Sequence, residues 1–262
     1  MTKWVWKGIK TGIKTTLYPG REETARGVSP GRPFDTQFAS EKDALTAARR
    51  CPEDALRSFS NQVMVNKEKC IHCFKCRDRG SADDFSSASH PASGINTDAA
   101  FVNWKRDYEW AEHDDKGHGL LDKAFSQSLN IRIVDAGACG ACMGEIKQIS
   151  SPYYNIHRLG FFITPTPRMA DILLVAGPLT AHMADPLKKT FEAMPSPKRV
   201  IAVGTCAISG GVFGTGFAVK GGAGKAIPVD IRVPGCPPPP LAIIHALLMA
   251  AGKQTDFTKK RK

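Results

Sequence analysis

No stretch of the chain approaches the roughly 18 to 20 consecutive apolar residues that a bilayer-spanning helix needs. The start of the sequence also lacks the continuous apolar core and small-residue cleavage site of a secretory signal. These two absences predict a protein that sits peripherally, at the cytoplasmic face of the cell membrane. Acidic residues are in short supply: 25 Asp and Glu stand against 36 Lys and Arg, a net charge of +11. A surface of that sign suits an acidic protein partner or anionic lipid. No recognition motif for nucleic acid accompanies the charge, so no nucleic-acid partner is expected. Cysteine, by contrast, is plentiful. Eight cysteines in a chain of 262 residues, read as cytosolic, point to metal ligation in place of disulfides.

Residues 1–20 read MTKWVWKGIKTGIKTTLYPG. Val5, Ile9, Ile13 and Leu17 recur every fourth position, Trp6 lies close to that stripe, and Lys3, Lys7, Lys10 and Lys14 form a second stripe beside it. This pattern predicts an amphipathic helix ended by Pro19-Gly20. Lysine with tryptophan on one short helix suits an anionic membrane surface. It equally suits docking on a partner subunit, and the two readings are compatible. Residues 21–40 form a Gly-, Pro- and Arg-rich loop, and the four cysteines of 41–80 complete a small unit over 21–80. Residues 81–128 are polar, interrupted by Trp104, Tyr108 and Trp110, and read as a connector. From 129 to 252 short β-rich runs at 130–135, 172–176, 200–203 and 229–233 alternate with helical stretches at 184–193 and 241–251. That alternation predicts an α/β domain with a parallel sheet, whose ligand site lies at the carboxyl ends of the strands. A basic tail occupies 253–262.

The first cysteine set is Cys51, followed by Pro52, with Cys70, Cys73 and Cys76 in a C-x-x-C-x-x-C run. Bacterial ferredoxins carry C-x-x-C-x-x-C-x-x-x-C-P, and the last cysteine of each run ligates the other cluster. The chain therefore holds one complete ligand set: the Cys-Pro of a first run and the three leading cysteines of a second. The positions that would build a twin cluster hold Glu41, Ala44, Ala47 and Gly80. All four ligands of one cluster are missing together, which predicts a single [4Fe–4S] centre. A four-cysteine zinc site is the alternative, but zinc favours two separated C-x-x-C pairs. His72, between two ligands, is expected at the surface near the cluster and not as a ligand.

The second set is Cys139 and Cys142 in GACGACMGE, Cys206 in VGTCAISGG and Cys236 in VPGCPPPP. Each lies just after a predicted strand in a Gly- or Pro-rich turn, where the backbone can approach a bulky cofactor closely. Turn amides can also donate to cluster sulfurs and tune the reduction potential. Four thiolates from three loops make a second [4Fe–4S] ligand set. By spacing alone, zinc stays open here.

The residues carrying these motifs resemble known families. The first half, with its opening WKGIKTGIKTTLYP, resembles the two-cluster ferredoxin subunit of formate hydrogenlyase and complex I, with one cluster lost. In that family the opening helix lies along the membrane. VDAGACGACMGE, FFITPTPRMADILLVAGP, KRVIAVGTCAISGGVFG and VPGCPPPPLAIIHALL occur in the order found in the small subunit of group 4 [NiFe] hydrogenases. The cluster-bearing small subunit of complex I is related, with two adjacent cysteines where this chain has C-x-x-C. The resemblance, over roughly residues 129–252, implies a flavodoxin-like domain preceded by a small α+β ferredoxin-like domain. It implies two [4Fe–4S] clusters, the second beside the active site of a [NiFe]-hydrogenase-like large subunit, and membrane-embedded subunits of a complex-I-like assembly. Since both clusters consume all eight cysteines, a nickel–iron centre must belong to that large subunit. Glu145 matches a family acidic residue and could relay protons at the interface, or simply stabilise a helix N-terminus. Arg168 matches a family arginine that could face cluster or partner; Asp171 is expected to order the turn before the next strand. His157 and His182 are expected to pack and not to ligate. Met143 stands where many hydrogenase small subunits have Asp. That difference admits a related complex without nickel that reduces a quinone or another acceptor. A basic zinc-binding interaction module is the reading of a different class.

Overall fold

The computed structural model describes residues 3–19, 36–37, 40–66, 68–73, 75 and 128–252. Cys76, the connector up to residue 127 and the tail 253–262 lie outside them. Helix α1 runs over Lys3–Thr11, shorter than the apolar stripe predicts. Gly12 adopts φ 62° and its N–H bonds back to the Gly8 carbonyl, so a left-handed residue closes the helix before Ile13 and Leu17. No side chain of α1 is buried. The chain then docks: Thr16 N–H donates to the Tyr153 carbonyl, and Tyr18 is fully buried.

The first cysteine-bearing unit comprises β1 (Thr36–Gln37), α2 (Glu41–Ala48), β2 (Leu56–Phe59) and β3 (Gln62–Val65). Its three strands pair antiparallel in the order β1-β3-β2. Ser40 caps α2, its Oγ accepting the Asp43 N–H at 3.2 Å and donating to the Asp43 carboxylate at 2.7 Å. Ala44, at a position where a second cluster would need cysteine, is fully buried in a small core with Ala48, Leu56, Val63 and Cys70.

The larger unit is built from β4 (Leu129–Asp135), α3 (Ala141–Gln148), β5 (Phe161–Ile163), β6 (Ile172–Ala176), α4 (Ala181–Ala193), β7 (Arg199–Val203), α5 (Thr205–Ser209), β8 (Ile231–Val233) and α6 (Pro240–Ala250). Five strands pair in parallel in the order β5-β4-β6-β7-β8. Counted from β4 this is 2-1-3-4-5, the flavodoxin-like order. The short strand β5 is absent from the predicted pattern because only three residues of it pair. Strands β6 and β7 are buried at every position and read as continuous apolar runs, as a sheet covered on both faces requires. Ile172, Leu174 and Ile201 face the core shared with α3 and α6, while Leu173, Val175 and Val200 face the one shared with α4. Helix α6 is buried almost throughout, which explains its nearly all-apolar sequence. Its one polar interior residue, His245, pairs through Nδ1 with the Tyr18 hydroxyl. That contact, with the Arg158 guanidinium on the Tyr18 carbonyl, ties the segment after α1 to the α/β domain.

Candidate metal centres

Strands β4, β6, β7 and β8 end level with one another: Asp135 pairs with Ala176, Ala176 with Val203, and Val203 with Val233. The chain leaves all four at one edge, and three of the exits carry cysteine. Asp135 shapes the first. Its Oδ1 accepts the N–H groups of Gly137 at 2.9 Å and Ala138 at 2.6 Å, an Asx turn that leads into Cys139. Cys142 follows in the first turn of α3 and is buried. Strand β7 runs through Gly204 into α5, which bears Cys206. Gly204 holds φ 88° and ψ 155°, a region open essentially to glycine alone. A Cβ there would lie 2.6 Å from the Cys142 sulfur, and one on Gly211 would lie 2.7 Å from the Cys206 sulfur. Strand β8 leads through Pro234 and Gly235 to Cys236, which is exposed, as is Cys139.

The four sulfurs feel one another. Burial first, then Cys206, Cys236 and Cys139, pushes the Cys142 thiol up to about 12. Burial, Cys236, Cys139 and then Glu53 push Cys206 up to about 11. Burial raises Cys236 as well, helped by Cys139, Cys73 and Glu53. Three thiols held up in this way, Cys142, Cys206 and Cys236, favour losing their protons together only around a strongly cationic centre. Among the described residues, no three His, Cys, Asp or Glu side chains close on a point that would hold a single ion. Glycines stand close behind two of the sulfurs, Gly204 behind Cys142 and Gly211 behind Cys206, and leave those sulfurs room.

Of the first set, Cys70 is buried in its unit's core, Cys51 is half-buried beside it, and Cys73 is exposed; Cys76 lies outside the described residues. The Ala55 N–H donates to the Cys51 sulfur at 3.3 Å, the kind of amide contact that stabilises a thiolate ligand. The two sets adjoin. Cys73 and Glu53 of the first unit act electrostatically on Cys236 of the second. Thr205 Oγ1 donates to the Cys70 carbonyl at 3.1 Å, Ser209 Oγ to the Glu68 carbonyl at 3.0 Å, and Arg232 pairs with the Glu68 carboxylate at 2.5 Å. These joining residues escape sequence reasoning; the only signal for Thr205 is that it precedes a cysteine.

Glu145 lies in the second turn of α3, not the first, so a helix-end role does not apply to it. It is half-buried, and burial holds its carboxyl above the usual range. Asp171 is buried just before β6, and its Oδ2 accepts the Asn130 N–H at 2.7 Å, which ties the entry of β6 to β4. Arg168 is exposed on a one-turn 3-10 segment, Pro167–Met169. His157 and His182 are exposed, and His157 Nδ1 pairs with the Phe161 carbonyl at 3.0 Å. Met143 packs against the α3/α6 core.

Parts of the chain are similar to known proteins. The uncharacterized protein MJ0516 of Methanocaldococcus jannaschii is 44% identical over 135 residues, covering 52% of this chain and 90% of that protein. Formate hydrogenlyase subunit 7 of Escherichia coli (strain K12) is 40% identical over 132 residues, covering 50% of this chain and 52% of that subunit. A chain in the structure of the membrane-bound sulfane sulfur reductase, an archaeal respiratory membrane complex, aligns at 32% identity with a TM-score of 0.44, over 52% of this chain and 78% of that one. Residues 139–250, which hold all four cysteines of the second set, match the family described as NADH ubiquinone oxidoreductase, 20 Kd subunit, and it is to this family that the chain belongs.

Proposed function

We propose that the chain is an iron–sulfur electron-transfer subunit of a membrane-associated oxidoreductase complex related to complex I and to membrane-bound [NiFe] hydrogenases. Cys139, Cys142, Cys206 and Cys236 would hold one [4Fe–4S] cluster; Cys51, Cys70, Cys73 and Cys76 would hold another. Bound there, the clusters supply one-electron redox chemistry. The chain's own contribution is to hold both ligand sets side by side, to exclude water behind Cys142 and Cys70, and to leave Cys139 and Cys236 facing outward. A large subunit would cover that outward edge and contain the catalytic metal. Glu145, half-buried one turn beyond Cys142, could hand protons across the same boundary. The fully exposed α1, with Trp4, Trp6 and its lysines, would rest on anionic lipid or a membrane subunit at the cytoplasmic face; no helix among the described residues is long and apolar enough to cross a membrane. The observation that carries the reading is the convergence of four cysteine thiols from three strand exits on one sheet edge.

Met143 favours a second form of the same reading, in which the large subunit lacks nickel and the acceptor is a quinone or another oxidant. The large subunit's own sequence separates the two: a nickel enzyme needs four cysteine ligands there. The cluster assignment has a direct test. The full chain, purified without oxygen, is expected to hold about eight irons and about eight acid-labile sulfides, as two four-iron centres require. Cys142→Ser is expected to remove about half of each, and Cys51→Ser the remaining half. Colourless protein with zinc and no sulfide would overturn the reading.

A further inference from the structure

The sharpest unassigned feature is a single hydroxyl between the two cysteine sets. Thr205 is 1% exposed. Its Oγ1 lies 3.1 Å from the carbonyl oxygen of Cys70, in the first set, and 3.3 Å from the carbonyl oxygen of Gly235, the neighbour of Cys236 in the second. Its own N–H donates to that same Gly235 carbonyl at 2.9 Å. Its peptide carbonyl is bonded directly to the nitrogen of Cys206. A hydroxyl has one proton, so the two carbonyls share it in a three-centre bond. One residue therefore touches the backbone of a first-set ligand and the loops of two second-set ligands.

We propose that Thr205 is the junction through which electrons pass between the two centres. The route is short and almost wholly covalent: from the Cys70 sulfur through its backbone to the carbonyl, across one hydrogen bond to Thr205 Oγ1, and along the Thr205 backbone into Cys206 and its sulfur. In the transfer one centre loses an electron and the other gains it; no bond forms or breaks and no proton need move. The hydroxyl matters in two ways. It replaces a through-space gap by a hydrogen bond, and it fixes the Cys70 and Cys206 loops at one separation. Ser209, one turn on, shares its hydroxyl proton between the Glu68 carbonyl at 3.0 Å and the Thr205 carbonyl at 3.1 Å; it links the units, but its contact across the junction ends on Glu68, which is not a ligand. It provides the contrast between holding the units together and connecting the centres.

The inference rests on the proposed cluster assignment, and the experiment keeps the two apart. Anaerobic full-length wild type, Thr205→Val, Thr205→Ala, Thr205→Ser and Ser209→Ala would be compared for iron and sulfide content. Each would be examined for the magnetic interaction between its reduced centres by electron paramagnetic resonance. The rate at which an electron delivered by dithionite or a radiolytic pulse equilibrates between the centres would complete the comparison. Thr205→Val and Thr205→Ala are expected to keep both centres, to weaken the magnetic interaction and to slow equilibration several-fold. Thr205→Ser and Ser209→Ala are expected to match wild type. A hydroxyl-free variant with both centres and the wild-type rate overturns the proposal. So does equal slowing in Ser209→Ala, which would make the interface and not the hydroxyl responsible, and so does loss of both centres in both hydroxyl-free variants, which would make Thr205 a folding residue. Wild type without iron or sulfide would instead sink the cluster assignment itself.

Discussion

Gly204 holds φ 88° and ψ 155°, and an alanine Cβ at that position would lie 2.6 Å from the Cys142 sulfur. Two costs add up in Gly204→Ala. The backbone conformation alone costs an L-residue on the order of 1–3 kcal/mol. The added methyl also meets the sulfur of a buried residue that has little room to retreat. The expected outcome is loss of the second centre with retention of the first, so that iron and sulfide fall to about half of wild type. Gly144→Ala is the matched control: it lies inside α3 with nothing within 4 Å of its Cβ position, and alanine there should gain about 0.5–1 kcal/mol in helix stability. Metal analysis and thermal unfolding of the two variants check both statements. The sequence alone makes glycine within two residues of each second-set cysteine conspicuous, and all eight cysteines sort into two sets by motif. It does not reveal which glycine backs which sulfur. Gly204 and Cys142 lie on different strand exits, and only the packed sheet brings them together.

Among the elements, the strands of the α/β domain were the most legible. The fully buried β6 and β7 read as unbroken apolar runs, and a sheet covered on both faces admits little else. Helix α1 was legible as a helix but not in its length. The apolar stripe continues through Ile13 and Leu17, while Gly12 takes φ 62° and ends the helix. Tyr18 then leaves the stripe's logic altogether and enters the core beside His245. The clasp at Thr16 and Tyr18 fixes one end of the segment and leaves α1 with Trp4 81% and Ile9 67% exposed. Such a helix is expected to bind vesicles containing phosphatidylserine, and to lose that binding as salt is raised. With about 1 kcal/mol per lysine near an anionic surface, replacing Lys3 and Lys7 by Gln should weaken partitioning roughly thirtyfold. Vesicle co-sedimentation measures it. Binding that ignores both salt and the substitutions would assign α1 to a protein partner instead.

Across the whole molecule, the joining of the two units is the feature that sequence reasoning could least reach. Cys70 and Thr205 are 135 positions apart, and no motif spans that distance. Their contact exists only because the sheet edge presents α5 and β8 to the segment 68–70. Polar links at Thr205, Ser209 and Arg232 join them, and they are not equal. Arg232 and Glu68 form an ion pair, but their side chains are 41% and 39% exposed, and pairs so open to water contribute about 0–1 kcal/mol. The Thr205 hydroxyl is buried, where a hydrogen bond contributes about 0.5–1.5 kcal/mol and an orphaned partner costs more. Arg232→Ala is therefore expected to leave the units docked. Hydrogen exchange at the amides of Ala55 and Cys70 should accelerate by no more than about fivefold, the equivalent of about 1 kcal/mol. A double-mutant cycle with Glu68→Ala should return a coupling below about 1 kcal/mol that shrinks further in high salt. Acceleration by orders of magnitude in Arg232→Ala would instead make the ion pair the main weld. The buried hydroxyl would then be a secondary contact, kept in place by a charge pair at the rim.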